Sequence, residues 1–433
     1  MPGGRYSGLR CRICLHGIAP LYCQIPATCW QIGHRTPMPG PVPNARARGI
    51  EESVTLAIAA RAMELKATGA DVVSLGAGEP DFPTPEPIAQ AGIEAIEQGR
   101  YRYTATSGTP QLRAAGAAWF QDAFGLQYET DEVMATAGAK PALHMALDTI
   151  VEKGDRVLIP APYWVSYPAL VSMADGEAVM VPAVPERGFV HAAESIAAAA
   201  AEHQAKGIIL NYPNNPSGAV PGREQIEALV RVACEHDMWI LSDEIYAMLC
   251  YDDHQHVSPA AVPGGKERSI VVTGFTKSHT LTGWRIGFMA GPKEVIAAAG
   301  RIQSQVLGNP STISQEAALA ACAQPTFEEA QRRVVSFDER RQFLVREINA
   351  ISDLSLAAPQ GAFYALVDAR PLCERLGLSD IELCGRLLEE RLLSTVPGSA
   401  FGAPGFVRLS YAASMETLQQ ATNRLRKFVE DSQ

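Results

Sequence analysis

The sequence predicts an α/β protein, with a mostly parallel sheet sandwiched by helices and a smaller α+β unit after it. Three observations carry that prediction. From Pro87 onward, short β-branched runs alternate with helical patterns, as strand–helix units feeding one parallel sheet do. After about residue 320 the texture changes to long charged helices with short strands between them. A chain of 433 residues, 47% of them hydrophobic, can bury more than one core.

The elements follow in order. Ser53 can cap an amphipathic helix whose apolar positions Leu56, Ala60, Met63 and Leu65 recur at helical spacing. A short strand, Val72 to Leu75, ends in Gly76-Ala77-Gly78-Glu79-Pro80. That segment lacks the third glycine of a dinucleotide fingerprint and is broken by Pro80; its glycines suit close approach of backbone N–H groups to an anion. The β-branched runs lie at Val157 to Ile159, Ala178 to Val181, Ile208 to Leu210, Trp239 to Leu241, Ile270 to Val272 and Ile286 to Met289. The late helices span Phe327 to Ile348 and Thr417 to Glu430, with strands at Ala362 to Val367 and Phe406 to Leu409.

Composition narrows the function. A net charge of −10 argues against a nucleic-acid or anionic-membrane surface. No apolar run reaches the roughly 20 residues that span a bilayer. The first fifty residues stand apart: they contain six arginines and no Asp, Glu or Lys, leaving the remainder at −16. They also hold Cys11, Cys14, Cys23 and Cys29, with His16 and His34 nearby. In order of preference, this start reads as a disordered extension over residues 1–45, an organellar transit peptide, or a zinc site of irregular spacing. Cys234, Cys250, Cys322, Cys373 and Cys384 sit in apolar surroundings, which suggests buried, reduced thiols.

In parallel sheets, ligands bind at the carboxyl ends of the strands. Five groups of residues are expected there. Ala137-Gly138-Ala139-Lys140-Pro141 opens a helix and offers an anion site. Pro162-Tyr163-Trp164 offers an aromatic plane, and Asn214-Asn215-Pro216-Ser217-Gly218 follows the next run. Asp243 ends the run after it, with Tyr246 three residues on. Lys277 and Arg285 come last, a lysine beside a fixed cation, as a Schiff-base enzyme needs. Singly, these are a helix start, a core tryptophan, a turn, a helix cap and a surface lysine. In this order, each at a strand end, they form one site.

Asn215-Pro216-Ser217-Gly218, Ser242-Asp243-Glu244-Ile245-Tyr246, Thr276-Lys277 with Thr282-Gly283-Trp284-Arg285-Ile286-Gly287, and Val407-Arg408-Leu409-Ser410 together resemble the class I pyridoxal-phosphate-dependent aminotransferases. The resemblance runs from about residue 50 to the C-terminus. It falls within the aspartate aminotransferase-like bacterial subgroup, whose members act on aspartate, prephenate or aromatic amino acids. It implies fold type I, a seven-stranded mostly parallel sheet in a large domain. It also implies a domain order: extension 1–45, arm and helix 46–78, cofactor-binding domain 79–322, small domain 323–433.

The resemblance also implies roles. Lys277 holds pyridoxal 5'-phosphate and shuttles protons, Asp243 pairs with the ring nitrogen, and Tyr246 and Asn215 donate to the ring oxygen. Trp164 stacks on the ring. Arg285 and the backbone of Gly138 and Ala139 hold the phosphate, joined by Tyr103 from a second subunit. Arg408 clamps the substrate α-carboxylate with Asn215 and the Gly78 backbone, while Trp164 borders the substrate. Lys140 either reads a substrate side-chain carboxylate or only adds charge near the phosphate. No metal is implied.

The expected protein is therefore a cytoplasmic homodimer of amino acid metabolism and biosynthesis, passing the amino group of an L-amino acid to a 2-oxo acid such as 2-oxoglutarate. Its rivals are a lyase of the same fold and, remotely, a non-catalytic metal-binding protein using the N-terminal cysteines. Two departures from the family pattern stand out. Gly274 occupies a position where many members have serine, and Ala137 and Ala139 replace hydroxyl residues of some relatives. Thr273 is then a candidate hydroxyl for the phosphate.

Overall fold

In a computed structural model, which describes residues 40–50 and 54–432, the chain has one seven-stranded sheet and two smaller ones. The strands are β1 (Val73–Ser74), β2 (Val133–Thr136), β3 (Arg156–Pro160), β4 (Glu177–Val181), β5 (Gly207–Asn211), β6 (Trp239–Asp243), β7 (Ser269–Thr273), β8 (Gly287–Ala290), β9 (Tyr364–Asp368), β10 (Leu393–Ser394), β11 (Val396–Pro397) and β12 (Phe406–Ser410). The large sheet has the order β2-β8-β7-β6-β5-β3-β4. β7, β6, β5, β3 and β4 run parallel, and β8 lies antiparallel between β2 and β7. The described residues up to Gly49 and those from Ile50 on fall in two separate units, and all twelve strands belong to the second. In the first, the short helix Ala45–Arg48 is opened by Asn44, whose Oδ1 accepts from Ala47 N (2.8 Å).

The central strands β5 and β7 are buried at every position and β6 at every position but Trp239, so their Ile-, Leu- and Val-rich sequences need no alternation. Helices on the two faces complete separate cores. One gathers Leu143, Leu147, Val157, Ile209 and Leu241, and another Leu158, Ile208, Ile226 and Val230. The helix Pro110–Phe124 starts on Thr109, which accepts from Leu112 N (3.2 Å), has proline in its first turn, and stops on left-handed Gly125. A further core joins Phe337 and Leu344 of the helix Gln324–Asn349 to Phe363, Leu387, Leu409 and Phe428 around the antiparallel sheet β11-β12-β9.

Three expectations need correction. In the helix Val54–Ala67 Ala62 is buried, packed on Val72 and Leu388; Ala60 and Met63 are exposed, the latter 65%. Of the expected stripe Leu65 does pack on that core, and Ala60 and Met63 fall off it because this helix carries apolar residues on more than one side and has no strong polar face. Cys234 is exposed rather than buried, since it sits on the outer side of the last turn of the helix Arg223–Glu235. β2 was not anticipated: Val-Met-Ala-Thr is too short to signal a strand without its partner β8. Ser53 and the Cys11 to Cys29 cluster lie outside the described residues.

Candidate active site

The carboxyl ends of β5, β6 and β7 open into a cavity of about 400 Å³. Gly78, Ala139, Lys140, Trp164, Asn215, Asp243, Tyr246, Lys277, Arg285 and Arg408 all line it. Gly138 sits directly behind Ala139. Tyr103 is 97% exposed and outside the cavity wall.

Lys277 follows β7, and its Nζ donates to the Gly78 carbonyl (2.6 Å). Burial lowers its pKa from 10.5 to about 8; Arg408 and Arg285 push the same way, and Glu79 and Asp243 oppose. Asp243 ends β6. Its Oδ2 accepts from the Tyr167 hydroxyl (2.8 Å) and its Oδ1 from Ile245 N (3.3 Å). Burial pushes its carboxyl from 3.8 up to about 6, against the pull of Tyr167, Ile245 N–H and Lys277. Asn211 faces Asp243 in the β5–β6 register; its Nδ2 donates to the Asp243 carbonyl (2.9 Å) and its Oδ1 accepts from Asn215 N (3.0 Å).

Arg408 comes from β12. Nη1 donates to Asn215 Oδ1 (3.0 Å) and Nη2 to the Gly76 carbonyl (2.7 Å). Its guanidinium lies between the rings of Tyr364 (4.6 Å) and Phe401 (4.8 Å), and its buried Nε has no partner. The Tyr246 hydroxyl pairs with that of Tyr364 on β9 (2.8 Å). Gly78 is hemmed in by the same tyrosine, since a Cβ there would stand 2.6 Å from the Tyr364 hydroxyl.

At the opposite wall, Gly138 precedes the helix Ala139–Ile150 with φ +100°, and a Cβ on it would lie 2.8 Å from Arg285 Nη2. Glycine therefore lets a guanidinium and a helix N-terminus meet, two sources of positive potential at one point. Lys140 Nζ lies 4.7 Å over the Trp164 ring; burial and Arg285 both lower its pKa.

Thr273 does not face the cavity. Its hydroxyl donates to the Glu244 carbonyl (3.0 Å) inside the protein, which withdraws it as a phosphate contact. Thr276 lines the cavity instead. Gly274 has a steric reason, because a Cβ would stand 3.0 Å from Gly287 Cα on β8. Sequence reasoning missed Tyr167, Asn211, Tyr364 and Thr276, and also Thr55 and Ala59 of the helix Val54–Ala67, all in the wall. Tyr167 stands one helical turn beyond Trp164, the one local sign that could have found it.

Just beyond Lys277, His279 is fully buried. Nδ1 meets Ser278 Oγ (2.8 Å) and Nε2 has no partner. Burial and the nearby Arg333 lower its pKa from 6.5 to about 4. The folded state thus binds fewer protons than the unfolded one between these values, and stability falls as pH drops through that window, by about 3 kcal/mol in full. His279→Phe is expected to flatten this loss, read as the change in urea midpoint between pH 7 and pH 4.5.

The profile of the family "Aminotransferase class I and II" matches residues 70–425. An aspartate aminotransferase of Bacillus subtilis is 39% identical over 387 residues, covering 89% of this chain and 98% of that protein. An aspartate/prephenate aminotransferase of Thermus thermophilus is 41% identical over 387 residues, covering 88% and 97%. The crystal structure of an aspartate aminotransferase from Rhizobium meliloti superposes with a TM-score of 0.86 at 39% identity, over 90% of this chain and 99% of that one. These likenesses favour an aminotransferase over a lyase of the same fold. With its sheet order, its half-buried lysine and its neighbouring cations, the chain belongs to the class I and II aminotransferases.

Proposed function

We propose that this aminotransferase moves the amino group of an L-amino acid, aspartate or another dicarboxylic or aromatic one, to a 2-oxo acid such as 2-oxoglutarate by a ping-pong cycle. The observation that carries this is one cavity in which the half-buried Lys277 is joined by three further cations, Arg285, Arg408 and Lys140. Pyridoxal 5'-phosphate fits the residues present. The glycine-lined junction of Arg285 with the helix Ala139–Ile150 suits its phosphate, and the buried Asp243 suits its ring nitrogen. Gly138, Ala139, Arg285 and Lys277 would hold it, with Trp164 against its face and Tyr246 and Asn215 at its ring oxygen. When bound, the group supplies an electron sink that acidifies the Cα–H bond of an amino acid.

The protein's own residues do the rest. With its pKa near 8, Lys277 carries a neutral amine in part of the molecules at neutral pH, so Nζ can accept a proton and return it. Arg408 is pre-set by Asn215 and the Gly76 carbonyl to grip an α-carboxylate as a fork, beside Gly78. Lys140, across the cavity and above Trp164, suits a second carboxylate. Tyr103, exposed on a single chain, supports a homodimer in which the other subunit contributes it. Free cysteines among the described residues support a cytoplasmic setting, and the site chemistry supports a place in amino acid biosynthesis. Residues 79–322 would form the cofactor-binding domain, and residues 46–78 with 323–433 the smaller one.

The test is a half-reaction screen in which each amino acid is mixed with the enzyme and the rate of amino transfer ranked. Aspartate and glutamate are expected to lead. Lys140→Ala is expected to lower kcat/KM for aspartate about 10- to 100-fold, as for a charged hydrogen bond of about 1.5–3 kcal/mol, and to leave aromatic substrates nearly unchanged. An aspartate rate indifferent to Lys140 overturns the dicarboxylate preference.

A further inference from the structure

Asp243 lines the cavity; the next residue, Glu244, does not, and is 0% exposed. Its Oε1 accepts from Ser242 Oγ (2.9 Å) and Ser258 Oγ (2.6 Å), and its Oε2 lies 2.8 Å from His256 Nε2. The backbone of Glu244 is bound to β7 at both ends. Its N donates to the Val272 carbonyl (2.8 Å), and its carbonyl accepts from Thr273 Oγ1 (3.0 Å) and Ala247 N (2.9 Å). Phe124 closes over His256 edge-on at 5.8 Å. The other titratable groups facing this cluster are Asp243 on the cavity side, Tyr128, whose hydroxyl has no partner, and Cys250.

A fully buried carboxylate is expensive to desolvate, and three side-chain partners are spent on this one. None of the three lines the cavity. What the cluster fixes is a turn. Asp243 and Tyr246 leave it towards the cavity, and Thr273, which it anchors, stands four residues before Lys277.

We propose that Glu244, held by His256, Ser242 and Ser258, is a positioning residue that sets the Asp243 carboxylate and the Tyr246 hydroxyl relative to the Lys277 amine. The proposal rests on the reading of Asp243 and Lys277 as working groups of the site. Glu244 acts by tying the end of β6 to the end of β7, so that the two groups share one rigid mount.

The test uses the holoenzyme and, for cofactor binding, the apo protein. Glu244→Leu is expected to lower kcat about 10- to 100-fold, the cost of misplacing a reacting group by about an ångström, with KM within about threefold. It is also expected to weaken pyridoxal phosphate binding, followed by tryptophan fluorescence, by about tenfold, and to shift the pH midpoint of the bound chromophore's visible absorbance. Glu244→Gln keeps an acceptor for both serines and is expected within about threefold of wild type; a Gln variant as impaired as Leu overturns the proposal. Ser258→Ala removes one donor from outside the turn and is expected to give the same changes at about threefold size, with a folded protein. Wild-type kcat, cofactor affinity and titration midpoint in Ser258→Ala and in any folded Glu244→Leu overturn it too. Asp243→Asn is the control. If it loses activity while the Glu244 and Ser258 variants do not, the positioning role fails and the site reading stands; if it is fully active, the site reading itself fails.

Discussion

Lys277→Ala is expected to abolish transamination, with a loss of at least about 10³-fold, because no other amine in the cavity can take its place. Lys140 is the nearest rival, but its Nζ is engaged above the Trp164 ring at the opposite wall. Lys277 Nζ instead points at the Gly78 carbonyl, on the side of Arg408 and Tyr364. The folded state should survive, since the substitution removes a buried amine whose burial already costs enough to lower its pKa to about 8. Full activity in the variant, measured with aspartate and 2-oxoglutarate, would remove Lys277 from the chemistry. A variant that is inactive yet melts no lower than wild type in its apo form is the expected pair of results.

Asp243→Asn should show two effects of opposite sign. Activity falls about 10²- to 10⁴-fold, because an amide cannot balance a positive charge as the carboxylate does. The apo protein, however, becomes more stable. Burial raises the Asp243 pKa from 3.8 to about 6, so the folded state binds more protons than the unfolded one in that window. Stability attached to this group is present below pH 3.8 and is lost as pH rises through 6, a cost of about 3 kcal/mol at pH 7.5. Asparagine has no such charge and keeps an acceptor for the Tyr167 hydroxyl. The difference in melting temperature between variant and wild-type apo protein is therefore expected to be positive at pH 7.5 and to vanish near pH 4. An apo variant that melts lower at both values would mean that the carboxylate is not a destabilising charge.

Much of this site was legible because its parts stand at the ends of strands that announce themselves. Asn215, Asp243 and Lys277 each follow a strand with a clear pattern, Gly138 opens a helix with one, and the motifs around them are specific. Tyr167 and Tyr364 were not legible. Their partners, Asp243 and Tyr246, lie 76 and 118 residues away, and nothing local reports such a distance. Thr273 was misjudged for a related reason. Along an extended strand end, facing alternates with each residue, and only the neighbouring β6 turn decides that its hydroxyl goes to Glu244 and not to the cavity. The phase of the helix Val54–Ala67 depends on Val72 and Leu388, which no helical period can reveal.

The placement of β8 bears on how the molecule is made. β2 has a single neighbour in the sheet, β8, and the two are separated by about 150 residues of chain. On a ribosome adding roughly 5–20 residues per second, the edge of β2 stays unpaired for roughly 8–30 s until Gly287 to Ala290 emerge and slot in beside it. The loop carrying Lys277 and Arg285 runs between β7 and β8, so it too is tethered at only one end until that moment. Strands β3 to β7 can pair as they appear, each against a parallel partner already made. Assembly of the nascent chain is thus ordered, with scaffold first, the Lys277 loop late, and both completed by one antiparallel strand.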